Sequence, residues 1–139
     1  MKSPLVILLL LAALPALAQA PADKFVGTWE ASVDGEPFVV LILQKKGDDI
    51  AGTIVQNDFD ITEGGEISNI QPTHRKSRIL SAEITPKALK ITAQKNGQGE
   101  NVRYLMENPQ DGEAQLHMLI GGYGATKIAP LTLIKRAGK

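Results

Sequence analysis

The side chains that could do chemistry in this 139-residue chain are few and scattered. His117 stands in Gln115-Leu116-His117-Met118-Leu119, where strand alternation groups it with Gln115 and Leu119 and puts Leu116 and Met118 on the opposite face. A general base needs a positioned nucleophile or carboxylate within hydrogen-bond reach, and the local sequence supplies neither. The expectation is an imidazole on an outer or inner wall with a local hydrogen-bond partner. His74, in Thr73-His74-Arg75-Lys76-Ser77-Arg78, is expected in solvent. Two histidines without a cysteine fall short of a closed zinc set, and no His-x-x-x-His or His-Glu-x-x-His spacing occurs, so no metal is assigned. The run Asp58-Phe59-Asp60-Ile61-Thr62-Glu63-Gly64-Gly65-Glu66 begins like a calcium loop. However, Glu63 falls where such a loop needs glycine, and Asn69 where it needs a bidentate glutamate. Alternation of Asp58, Asp60 and Thr62 also suits the wet face of an edge strand.

The glycine-rich Gly121-Gly122-Tyr123-Gly124-Ala125-Thr126-Lys127 lacks the spacing of a P-loop and the helix behind it. It reads as a loop between the last two strands, with Tyr123 near a rim. Ser32, Ser68, Ser77 and Ser81 sit in neither Gly-x-Ser-x-Gly nor Ser-x-x-Lys context. Arg75, Lys76 and Arg78 read as a solvated basic loop. No catalytic residue and no cofactor is assigned, and a non-enzymatic protein is expected.

The elements that must carry these residues begin after residue 20. Lys2, the apolar Leu5 to Leu14, Pro15 and the small-x-small sites Ala16-Leu17-Ala18 and Ala18-Gln19-Ala20 have the order of a secretory signal, cleaved after Ala18 or Ala20. The apolar run is about half of the roughly 20 residues that span a bilayer. Residues 21–139 are expected to form one domain, exported to the periplasm or secreted. Fifteen basic residues balance fifteen acidic ones, and loss of Lys2 leaves the mature domain near neutral, so nucleic acid is not an expected partner. Absence of cysteine removes disulfides and thiolate chemistry, and tilts the reading toward a bacterial protein. No second segment is apolar and long enough to cross a membrane as a helix.

Along residues 21–139, turn signals recur between short apolar or β-branched runs, the pattern of an antiparallel all-β domain. Strands are predicted at Phe25 to Val33, Pro37 to Lys45 and Ile50 to Gln56, the first pair joined by Asp34-Gly35. Asn57 to Glu66 is read as a loop. A short strand follows at Glu66 to Gln71, then Ser77 to Ile84, Ala88 to Gln94, Val102 to Glu107, Ala114 to Ile120 and Leu131 to Arg136, with Pro72, Pro86, Pro109 and Pro130 between runs. Roughly eight or nine strands in one domain can close as an antiparallel up-and-down β-barrel, the predicted fold, or stack as a β-sandwich, the alternative. In a barrel the inward set is expected to come from Trp29, Phe38, Val40, Ile42, Ile54, Leu89, Tyr104, Met106, Leu116 and Met118, with Arg103 or Tyr104 orienting the polar end of a ligand. A register slip of one residue would reverse every face.

The opening Phe25-Val26-Gly27-Thr28-Trp29 resembles the Gly-x-Trp start of the calycin superfamily, the lipocalins and intracellular fatty-acid-binding proteins. That resemblance implies a lipocalin-like barrel with the tryptophan at its base and a late basic residue, here Lys135 or Arg136, packed across it. The order Gly-Thr-Trp-Glu, Asp-Gly-Glu-Pro-Phe-Val-Val-Leu and Gly-Asp-Asp-Ile-Ala-Gly-Thr-Ile-Val also resembles small exported bacterial proteins of unassigned function. The last strand has no paired Arg and Tyr, so a fatty-acid carboxylate site does not carry over. The expected function is a carrier with room for a small apolar ligand in its lumen. The alternative is a filled structural or protein-interaction module of the cell envelope, using Asn57 to Gly65 and the Gly121 to Lys127 loop as contact surfaces.

Overall fold

The structure, a computed structural model, describes residues 21–94, 101–119 and 128–137. The expected signal segment, the Asn96-Gly97-Gln98-Gly99 turn and the Gly121 to Lys127 loop lie outside the described residues. A 3-10 turn at Asp23–Phe25 leads into β1 (Gly27–Val33), β2 (Glu36–Lys46), β3 (Asp49–Ile61), β4 (Ile67–Ile84), β5 (Ala88–Gln94), β6 (Asn101–Glu107), β7 (Glu113–Leu119) and β8 (Leu131–Lys135). Each strand pairs antiparallel with the next, and β8 returns to β1, closing an eight-stranded up-and-down barrel. This is the predicted barrel; the sandwich alternative is not adopted. The closing seam is short, with Trp29 opposite Lys135 and Glu30 opposite Ile134.

Alternation decides what each wall does. β5, β6 and β7 bury Leu89, Ile91, Ala93, Tyr104, Met106, Ala114, Leu116 and Met118, while Lys90, Arg103, Glu113, Gln115 and Leu119 are exposed. Each fully buried Leu, Ile, Phe or Met contributes about 1.5–3 kcal/mol, which pins the register because a one-residue slip would put the whole set in water. Apolar in and polar out is the reverse of the polarity of a transmembrane barrel. Among the described residues, no helix is long and apolar enough to cross a membrane.

The structure corrects several expectations. On β2 an irregularity between Ala31 and Ser32 of its partner leaves Phe38 as an extra residue, and both Phe38 and Val39 are buried. The bulge reverses the parity beyond it: Leu41 and Leu43 point in, and the expected inner residues Val40 and Ile42 lie half-buried on the outer wall. Arg103 is likewise exposed on the outer face of β6, between buried Tyr104 and the half-buried Val102.

The predicted loop Asn57 to Glu66 is instead the far half of β3, with only 62–66 left to turn. The two strands predicted on either side of Pro72 are one strand, β4, with Pro72 inside it. Two ladder shifts, around Asn57 and Phe59, absorb the missing proline N–H. Asn57 is the staple. It is the buried polar residue among the described residues, donating from Nδ2 to Pro37 O at 3.0 Å and accepting the His74 N–H at 2.9 Å. The Asp58 N–H meanwhile reaches the Thr73 hydroxyl.

Candidate functional site

Up-and-down closure gives the barrel two ends with different contents. One end gathers the 3-10 turn and the β2–β3, β4–β5 and β6–β7 turns. Trp29, 1 % exposed, fills it and donates Nε1–H to Phe25 O at 2.9 Å, while Phe25 is itself fully buried. Lys135 lays its ammonium over the indole, 5.7 Å from the ring. The two basic candidates of the last strand thus divide: Lys135 covers Trp29, and Arg136 pairs on the outer wall with Glu30 at 2.7 Å. Above the indole, Leu43, Leu89, Met106, Leu116 and Leu133 are essentially inaccessible. That half of the lumen is packed solid.

The β2–β3 pair is drawn unusually close in this half. A Cβ on Gly52 would sit 1.9 Å from the Ile42 carbonyl oxygen, and its φ of +150° already disfavours a side chain. At the other end Asp34 and Gly35, with φ of 52° and 82°, make the primed turn that the sequence predicts.

At the other end the described residues leave space. Tyr104, 3 % exposed, sends its hydroxyl across from β6 to donate to Gln56 Oε1 on β3 at 2.7 Å. The two strands are not neighbours in the barrel, so this bond is a strut across the lumen. Burial pushes the Tyr104 pKa well above the usual phenol value, which keeps the hydroxyl protonated and donating.

Against this strut lies a cleft of about 610 Å³. Phe59, Ile61, Val102 and Met118 form its apolar wall, and Gln56, Asp58, Asp60 and Gln71 its polar wall. Phe59 is fixed edge-to-face on Phe38, with ring centroids 5.0 Å apart. Asp58 takes a two-pronged bond from Arg75 Nε at 2.8 and 3.0 Å, which raises the arginine pKa, and Asp60 accepts from the Asn69 amide at 2.9 Å. A second groove of about 320 Å³ opens beside it, between Val33, Asp34, Thr62, Glu66, Ile67 and Leu131. There the chain entering β8 crosses the end of the barrel: Ile128 is buried, and the Ala129 N–H reaches Gly65 O at 3.1 Å.

The expected lumen residues therefore separate. Met118 lines the cleft and Tyr104 braces it, whereas Trp29 and Met106 are packed in the closed half and Phe38 supports Phe59. Gln56, Phe59, Ile61 and Val102 were not among the expected site residues. The signal for Phe59 and Ile61 was present, since they alternate with Asp58 and Asp60 at strand period, but the acidic and glycine content of that segment reads as a loop.

The two histidines lie outside this cleft. His74 is exposed on β4 with φ of +48°, its N–H held by Asn57. His117, on the outer wall, meets Glu107 at 2.6 Å. A polar surface cleft of about 470 Å³ begins at Glu107 and runs along Asn108, Gln110, Asp111 and Glu113. The histidine–carboxylate pair has no nucleophile joined to it among the described residues: Thr132, the hydroxyl two strand positions away, is bonded to Gln115. Among the described residues, no group of three or more His, Asp or Glu is disposed to hold a metal ion. Comparison with protein-family models, with curated proteins and with solved structures finds no match to this chain.

Proposed function

We propose that this chain is an exported, non-enzymatic bacterial β-barrel of lipocalin-like shape that holds a small apolar or amphipathic molecule at its open end. The observation that carries the reading is the cleft of about 610 Å³ walled by Phe59, Ile61, Val102 and Met118. Its size falls within the roughly 300–1,000 Å³ usual for small-molecule sites, and it joins an apolar wall to a few placed polar groups. The packed lower lumen limits the ligand to the upper half, so its body lies across the mouth instead of running down the barrel axis. The leader-like residues 1–20 support export, to the periplasm or outside the cell.

The test is titration with the uncharged fluorescent probe N-phenyl-1-naphthylamine. Saturable enhancement is expected, and it should be lost in Gln71→Trp, which fills the cleft from an exposed position. Ile134→Ser, on the exposed outer wall, should bind as the parent does. If the chain is an interaction module instead, enhancement is absent, or it tracks outer leucines such as Leu80 and Leu119, which are 45 % and 53 % exposed.

A further inference from the structure

The lining of the open end is segregated by charge as well as by polarity. Among the described residues, every charged side chain lining the cleft or the adjoining groove is a carboxylate: Asp58 and Asp60 in the first, Asp34 and Glu66 in the second. Glu36 and Glu63 are exposed on the same rim. This is placement and not surplus, because the chain as a whole is electrically balanced. Among the described residues, Lys76, Arg78, Lys90 and Arg103 are exposed along β4, β5 and β6. Arg75, the cation among the described residues that reaches the rim, is engaged by Asp58. The Asp60 carboxylate is held by the Asn69 amide, a neutral partner that leaves its charge in place.

We propose that the ligand of this cleft is a cationic amphiphile, an organic amine with an apolar body, whose ammonium lies beside Asp60 while the body lies on Phe59, Ile61, Val102 and Met118. This rests on the mouth being the binding site, and adds the class of ligand it takes. An ammonium supplies hydrogen-bond donors to a wall of carboxylate and amide oxygens and is drawn in by the acidic rim. A ligand ending in carboxylate or phosphate would bring like charge against Asp60 and gain no compensating cation from the described lining.

The experiment is calorimetric titration of the folded protein, at neutral pH and below micelle formation, with three molecules of one chain length: decylamine, decanol and decanoate. Decylamine should bind roughly tenfold or more tightly than decanoate, with decanol between them, as expected for one charge placed a few ångströms from another near a surface. Asp60→Asn should erase the lead of decylamine over decanol. Raising the ionic strength to about 1 M, where the screening length falls to about 3 Å, should compress the series. Decanoate binding as well as decylamine, or an amine lead untouched by Asp60→Asn, overturns the proposal while leaving the mouth as a site. Failure of all three probes overturns the mouth reading along with it.

Discussion

The two ends of this barrel are built from the same alternating strands, yet they use their polar groups in opposite ways. At the closed end three polar groups serve to seal: the Trp29 N–H on Phe25 O, Lys135 on the indole face, and Lys45 on Asp23 at 3.0 Å across the entry turn. At the open end the polar groups hold space open. The Tyr104–Gln56 strut keeps β6 and β3 apart, Asn57 fixes the bend of a long hairpin, and two aspartates face a cleft. The difference teaches that one half of a barrel of this size can be packed while the other keeps a cleft, with a strut of two side chains beside that cleft.

That division can be broken most severely at the closed end. Trp29→Ala should cost about 3–5 kcal/mol in urea unfolding, since a large buried ring and its hydrogen bond are lost together. If the loss were below about 1 kcal/mol, the end would not be a packed seal. Gly52→Ala should cost on the order of 3 kcal/mol or more, because the new methyl meets the Ile42 carbonyl and the backbone conformation is strained.

The strut comes next. Tyr104→Phe should cost about 1–2 kcal/mol by leaving Gln56 without its donor, and should weaken probe binding at the mouth. The pH dependence has a definite sign. Burial raises the folded-state pKa of Tyr104, so its contribution to stability is whole below the unfolded value of about 10. As pH climbs past that value the unfolded chain loses the phenolic proton first. Parental stability should therefore fall more steeply than that of Tyr104→Phe above about pH 10. Parallel curves would place the hydroxyl in water. The smallest effect is expected from Lys135→Gln, about 0.5–1 kcal/mol for an exposed cation removed from the face of the buried indole, with probe binding unaffected.

Much of this division was legible in the residues, and what was not has a local cause. Short apolar runs with turn chemistry at Asp34-Gly35 predict the meander, because it depends on side chains close in sequence, whereas the seal at Trp29 is implied by the resemblance of Gly27-Thr28-Trp29 to the calycin start. Faces on β2 were not legible. The bulge at Phe38 answers to its pairing with Ala31 and Ser32, and nothing in Phe38-Val39-Val40-Leu41-Ile42-Leu43 marks where parity flips. The β3–β4 hairpin was hidden for a related reason. Its continuity through Pro72 depends on the Asn57 side chain bridging β2 and β4, a contact made only once three strands are assembled. The site fell in that gap, so Met118 and Tyr104 could be named from their strands while Phe59 and Ile61 were lost in an apparently acidic loop.

The division of labour is tested most directly by amide and indole chemical-shift mapping during titration with decanol. Saturable shifts should cluster at Gln56, Phe59, Ile61, Val102 and Met118, with the Trp29 indole N–H resonance unmoved. Shifts centred on that indole, or spread over the outer wall at Val40, Ile42 and Ile134, would contradict it.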